Sequence, residues 1–297
     1  MFGNTHVQLL RLLLEKRRNG NELAEALKLS PGTVSSALKK LRQAGFLTED
    51  NEWADTAAAA DLKQILVRYR VLPLEWLKNA NLPILAFIAQ KPATIEEIRA
   101  YTGHSIPTIY LTLRNMRSYS LLSKAGKKYG LSSLVPEIAD FLRHWQAHVT
   151  LKELGLPGPA NYRGTLQVEA IFSLPAEIAP QKGTPTAFSR FAESGIEVIS
   201  GETYYAVRRK PGGGWESIPE NLMSPEKILE HARFVANAWR EKGFCVLYYV
   251  KNRDKLLENP DFERILRGES VEGWPLLKDL IDMADVYGIA LPQPAVN

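Results

Sequence analysis

Apolar positions in the first half of the chain recur at helical spacing, stop at glycines, and then recur in the same order further on. Val7, Leu10, Leu13 and Leu14 form one stripe, Gly20 interrupts it, and Leu23, Ala24 and Leu27 begin a second. Ser30, Pro31, Gly32 and Thr33 then supply a capping hydroxyl, a first-turn proline and a tight turn. Beyond them Val34, Ala37, Leu38 and Leu41 mark one face of a third helix, which Gly45 ends. The segment NELAEALKLSPGTVSSALKKLRQAGFL, residues 21–47, lies over EEIRAYTGHSIPTIYLTLRNMRSYSLL, residues 96–122, at a shift of 75 with no gap. Leu23 falls on Ile98, Val34 on Ile109, Leu38 on Leu113, Leu41 on Met116 and Leu47 on Leu122. Upstream, Leu9, Leu12 and Leu13 fall on Ile84, Phe87 and Ile88. In the second copy Thr94 is the expected cap, Gly103 precedes the turn, and Ser105 and Pro107 open a helix that runs to about Tyr119.

A short second helix joined to a third by a turn of three or four residues has helix-turn-helix geometry, in which the third helix is offered to a DNA groove. Its apolar face must bury, so the opposite face is what a ligand meets. In the first copy that face carries Thr33, Ser35, Ser36, Lys39, Lys40, Arg42 and Gln43. In the second it carries Thr108, Tyr110, Thr112, Arg114, Asn115 and Arg117, with Lys39 falling on Arg114 and Arg42 on Arg117. Lysine and arginine neutralise phosphate, arginine also forks onto a guanine edge, and Asn115 and Gln43 have the donor and acceptor pair that suits adenine. After the second copy, LLSKAGKKYGLSS predicts a hairpin bearing Lys124, Lys127 and Lys128. After the first, FLTEDNEWADT carries Glu49, Asp50, Glu52 and Asp55, which repel phosphate. Two expectations stand for the first copy: it meets DNA by its helix alone, or it binds a protein partner.

Between the copies, residues 57–80 predict a linking helix with Leu62, Ile65, Leu66 and Tyr69 on one face and a kink at Pro73. Residues 134–154 predict another, striped by Ile138, Phe141, Leu142, Trp145 and Val149, which would pack on the modules or pair two subunits. The proline- and glycine-rich run GLPGPANYRG then marks a boundary. Beyond it the pattern predicts strands at 165–172, 195–200, 202–209 and 244–250, a turn at 212–214, and helices at 225–242, 261–266 and 274–287. The fold class is α+β: module 1–56, linking helix 57–81, module 82–134, connecting helix 135–154 and a mixed domain 155–297.

A composition of 45% hydrophobic and 24% charged residues is that of a folded chain and excludes general disorder. Net charge is only +4, but residues 1–154 hold 21 Lys and Arg against 14 Asp and Glu, so the basic excess lies in the half with the repeat. With a single cysteine, Cys245, and no long apolar run, a cytoplasmic address and no membrane partner are expected. PGGGW lacks the Lys and Ser/Thr of a phosphate cradle, and the serines of the second half sit in no nucleophile elbow. His231 is expected to be a half-exposed helix residue, and no enzyme activity or cofactor is expected. Asp140, His144 and His148 share a helix face at a spacing that suits zinc or nickel, but a solvated polar face accounts for them better, so no metal is expected.

The stretch NELAEALKLSPGTVSSALKKLRQAGFLTED resembles the winged-helix regulators of prokaryotes, broadly the MarR- and ArsR-like type, over residues 5–56 and 82–134. That resemblance implies a fold and a DNA-binding habit but no operator or effector. The segments NLMSPEKILEHARFVANAW and FCVLYYVKNRDKLL are similar to C-terminal domains found behind winged helices in antitoxins of abortive-infection systems, related to nucleotidyltransferases without their active site. The resemblance implies a partner-binding or ligand-sensing role for that half. The expectation is a transcriptional regulator that binds double-stranded DNA, with residues 155–297 serving assembly or sensing through a homodimer or a protein partner. The alternative is a protein-protein interaction module, an antitoxin-like partner of an enzyme.

Overall fold

The computed structural model describes residues 3–258 apart from 17, 70–73, 79–80, 135, 157 and 211–212. It is a mixed α+β structure that divides into two compact units, Met1–Gly155 with Pro211–Gly213, and Leu156–Lys210 with the chain from Gly214.

The first unit opens with three helices, α1 (Asn4–Glu15), α2 (Gly20–Leu27) and α3 (Pro31–Gln43), whose apolar stripes meet: Leu9, Leu10, Leu23, Val34, Leu38 and Leu41 are all buried. Asn19 caps α2 by accepting from the backbone N–H groups of Asn21 and Glu22, and Glu22 returns a bond to the Asn19 N–H. Ser30 caps α3. The following segment forms a single antiparallel bridge, Leu47 to Trp53, and no named strand. Next come α4 (Ala57–Arg68), a short 3-10 helix at Leu74–Leu77, and a second trio, α5 (Asn81–Ile88), α6 (Ile95–Thr102) and α7 (Ile106–Ser118). The expected linking helix therefore ends at Arg68, and Pro73, its expected kink, lies outside the described residues.

The second trio repeats the local chemistry of the first at the same shift of 75. Left-handed residues end the second helices, Lys28 at φ +55° and Gly103 at φ +69°. Ser30 and Ser105 cap the third helices, and their hydroxyls lie 2.8 and 2.9 Å from those of Thr33 and Thr108. A true hairpin follows α7, β1 (Leu122–Ala125) with β2 (Lys128–Leu131), and Tyr129 is bonded in both directions to Ala93 ahead of α6.

Helix α8 (Pro136–Glu153) packs on α4 and α5. Its buried Phe141 sits 6.1 Å from Phe46, ring to ring, and 5.5 Å edge-on from Trp76. Of the expected solvated face, Asp140 and His144 are exposed and His148 is not. His144 Nδ1 lies 2.6 Å from Asp61 on α4, and His148 is half-buried against the backbone of Gly45, burial lowering its pKa. Gln146 and Thr150 are the polar positions of α8 that are buried against protein, while Asp140, Arg143 and His144 keep a solvent-facing side. Among the described residues no group of three His, Cys, Asp or Glu is placed to hold a metal ion.

The second unit is an antiparallel sheet of β3 (Asn161–Leu166), β4 (Glu169–Pro175), β5 (Thr184–Pro185), β6 (Glu202–Arg209) and β7 (Trp215–Ser217). Its order is β3-β4-β6, with β5 and β7 both pairing with β6. A 3-10 helix at Ala187–Ser194, α9 (Pro225–Val235) and α10 (Trp239–Leu257) share its core, in which Ile171, Phe191, Ala206, Leu229, Ala232 and Tyr248 are buried.

Four sequence expectations are corrected here. The strand at 165–172 is part of a hairpin, β3 and β4 turning at Gln167 with φ +55°. Residues 195–200 form no strand; Ile196 is buried while Ile199 is exposed, and no partner strand reaches them. The helix at 225–242 breaks where Ala236 turns extended and Glu241 accepts from the N–H groups of Asn237 and Ala238, restarting the chain as α10. The strand at 244–250 is the middle of α10, an apolar run with no polar face to reveal its period. The helices expected at 261–266 and 274–287 lie outside the described residues, as does part of the turn at 212–214.

Gly45 holds φ +76°, and a Cβ there would stand 2.5 Å from His148 Nε2. Gly45→Ala is expected to cost about 1–2 kcal/mol from the left-handed backbone alone, plus a steric part. Adding His148→Ala should recover the steric part only. Urea denaturation of both variants checks this; strictly additive losses would show that the two residues do not press on one another.

Candidate nucleic-acid interface

On α7 the apolar face buries Ile109, Leu113 and Met116 and leaves Tyr110, Arg114, Asn115 and Arg117 exposed on the other side. Thr108 is half-buried and committed to the Ser105 cap. Thr112 departs from the expected free face: it is buried, and its hydroxyl donates to Asn81 Oδ1 at 2.8 Å, fastening α7 to α5. The hairpin turns at Gly126, φ +58°, and exposes Lys124, Lys127 and Lys128. The Lys124 ammonium stands over the Tyr129 ring at 5.2 Å. No acidic partner is found for Arg114, Arg117, Lys127 or Lys128 among the described residues. Helix and hairpin are consecutive in the chain and packed together, so their cations form a surface with unpaired positive charge.

The equivalent surface on α3 differs. Thr33, Ser35, Ser36, Lys39 and Lys40 are exposed, Thr33 serving the Ser30 cap. Arg42, which falls on Arg117 in the repeat, is half-buried. Its guanidinium donates to Asn51 Oδ1 at 2.7 Å and lies 3.5 Å from the Glu49 carboxylate. The acidic segment folds back on the helix and neutralises its last cation. The expectation of like cationic positions therefore holds for Lys39 and Arg114 and fails for Arg42 and Arg117. The Gln43 carbonyl accepts from Lys152 of α8, which ties the same end of α3 into the unit. Beside Ser36 and Lys40 an open pocket of about 430 Å³ is lined also by Thr5, His6 and Gly32. Burial lowers the pKa of His6 there, and the nearby Lys40 contributes.

Two exposed residues of α7 were missed from the sequence, Ile106 and Leu111, 38% and 51% exposed. The signal was present: at the shift of 75 they fall on Pro31 and Ser36, and Tyr110 falls on Ser35, so the polar end of α3 corresponds to an apolar end of α7.

In the second unit His231 is fully buried, not half-exposed, because α9 turns it toward the sheet. Its Nε2 lies 2.8 Å from Glu169 Oε2 on β4 and its Nδ1 2.7 Å from the buried Thr186 hydroxyl. A carboxylate only accepts, so Nε2 carries a proton, and in the neutral ring Nδ1 accepts from Thr186. Lys227 donates to the other Glu169 oxygen at 2.5 Å. Thr186 and His231 have no exposed surface, and their bonds pin α9 to the sheet. Cys245 is likewise buried, which raises its thiol pKa.

Residues 4–49 match the family model described as bacterial regulatory protein, arsR family, a match that spans α1, α2 and α3 and supports a DNA-binding transcription regulator. No curated protein and no solved structure matches the chain. No helix among the described residues is long and apolar enough to cross a membrane.

Burial alone would raise the Glu169 carboxyl pKa, but the bonds from His231 and Lys227 outweigh it and hold it below the ordinary range. Its contribution to stability is present above the unfolded carboxyl pKa of about 4.3 and is lost as pH falls through the lower folded value. Glu169→Gln is expected to cost about 3 kcal/mol at neutral pH and to flatten the acid limb of the stability curve, measured by urea denaturation across pH. Identical acid limbs in the two proteins would refute that role.

Proposed function

We propose that the chain is a sequence-specific transcriptional regulator in which α5, α6, α7 and their hairpin act as a second winged-helix module in tandem with the first. In this reading α7 enters the major groove and Lys124, Lys127 and Lys128 of the hairpin meet the flanking phosphates. One observation carries it: exposed cations on consecutive elements, Arg114 and Arg117 on α7 and the hairpin lysines, all free of acidic partners among the described residues. The arsR-family match over the first trio supports DNA as the partner, and the repeated caps support the second trio as the same kind of module.

For the first module the same reading assigns a lesser role on DNA through Ser35, Ser36, Lys39 and Lys40, without a wing. A protein-binding role is the second reading for it, favoured by the Glu49–Arg42 pairing that removes a cation from the helix. The second unit has its own core and is assigned to assembly or sensing, through a homodimer or a protein partner. Two joined DNA-binding heads raise affinity through effective concentration without any further interaction.

Arg114→Ala with Arg117→Ala is expected to weaken duplex binding and to reduce the slope of log affinity against log salt by about 0.9 for each phosphate that is no longer neutralised. Arg42→Ala should leave that slope unchanged. Fluorescence anisotropy of labelled duplexes at several salt concentrations measures both. An unaltered slope in the folded double variant would remove α7 from the interface.

A further inference from the structure

The exposed face of α7 is divided along its length. Ile106, Tyr110 and Leu111, at its N-terminal end, are apolar and 38%, 52% and 51% exposed, and Arg114, Asn115 and Arg117 follow toward the C-terminus. Ile106 flanks the buried stripe of Ile109, Leu113 and Met116 with Tyr110 beside it at i+4, and Leu111 lies on the side away from that stripe; all three stay exposed, so the core does not require them. Three exposed apolar side chains together cost solvation unless something covers them. The same positions of α3 are Pro31, Ser35 and Ser36, so helix-turn-helix packing is satisfied without them.

Given the DNA-binding reading above, on which this inference rests, the N-terminal end of the third helix is the part that meets base edges. In the major groove the one apolar group a base pair presents is the C5 methyl of thymine. The surrounding charge on α7 and the hairpin is cationic and matches phosphate. We propose that Ile106, Tyr110 and Leu111 are specificity-determining residues that read thymine methyl groups, so that the second module selects a thymine-containing step. Tyr110 and Leu111 are consecutive on the exposed side of α7, so the methyl groups they reach belong to neighbouring base pairs. The preferred site therefore carries thymines, on either strand, at two neighbouring positions. Arg114 and Arg117, further along the helix, act on phosphate or guanine beside them. The first module, with serines at these positions, has no such preference.

The test uses the full chain and a duplex enriched from a random-sequence pool by its own binding. That duplex is compared with a copy in which deoxyuridine replaces thymidine, which removes the methyl and keeps every hydrogen-bonding group. Wild-type protein is expected to bind the uridine copy about tenfold more weakly, because two methyl groups are no longer buried against the helix. A Tyr110→Ser, Leu111→Ser variant, which carries the residues of α3, should bind both duplexes alike and keep its salt-sensitive binding to non-specific DNA. Equal binding of both duplexes by wild type would overturn the thymine assignment and leave the DNA-binding reading standing. A folded serine variant that keeps the full preference would also overturn it, because the methyl would then act through DNA shape. No duplex binding at low salt would overturn both.

Discussion

Burial of Phe141 between Phe46 and Trp76 is the interaction on which the first unit depends. It brings together the end of the first helix trio, the segment between the trios and α8, and it leaves Phe141 and Leu142 with no exposed surface. Around it α8 acts as a spine. Gln146, buried, donates to the Tyr101 hydroxyl at 2.6 Å and to Thr150 at 3.0 Å, while Glu137 takes the Tyr69 hydroxyl at 2.9 Å and the Arg68 guanidinium. His148 touches Gly45, and Lys152 reaches the Gln43 carbonyl. A helix that holds the first trio, α4 and the second trio through separate side chains fixes the spacing of α3 and α7 by packing. If both modules bind DNA, spacing fixed in this way would make the effective concentration of one, once the other is bound, insensitive to linker length.

The two trios share a scaffold and differ in electrostatics. Caps, left-handed helix ends and buried stripes recur at a constant shift because each is required to close three short helices on one another. The exposed positions are under no such requirement, and they diverge. Arg42 is half-buried and paired with the segment after α3, whereas Arg117 is exposed, and an acidic turn with one bridge replaces a lysine-bearing hairpin. Desolvation and pairing therefore decide which cations are available to phosphate, and a count of Lys and Arg does not.

What the sequence made legible follows the same division. Helix existence, caps and the hairpin at Lys124 to Lys128 were readable because they rest on local chemistry: a serine before a proline, a glycine at a helix end, a period of 3.6. Long-range pairings were not. Nothing in the sequence near Arg42 marks it as tied to Asn51, Thr112 as bonded to Asn81, or His231 as sealed between Glu169 and Thr186. Each depends on which elements pack, which the local period does not fix. The run that became the middle of α10 failed for a different reason, since an apolar stretch buried on most sides carries no contrast from which to tell strand from helix. The apolar end of α7 was legible in principle, because the alignment that revealed the repeat also set Tyr110 and Leu111 against Ser35 and Ser36.

That contrast bears on the symmetry of any DNA site. A dimer of identical heads favours a palindrome, because each half-site meets the same helix. Here two unlike helices sit in one chain, one presenting serines and a lysine pair and the other an apolar end followed by arginines. Engaged together, they would read two half-sites of different base composition, spaced by the packing of α8, and their order along the DNA would be fixed by the direction of the chain. Asymmetry of that kind gives a bound protein a direction on the DNA without a second subunit.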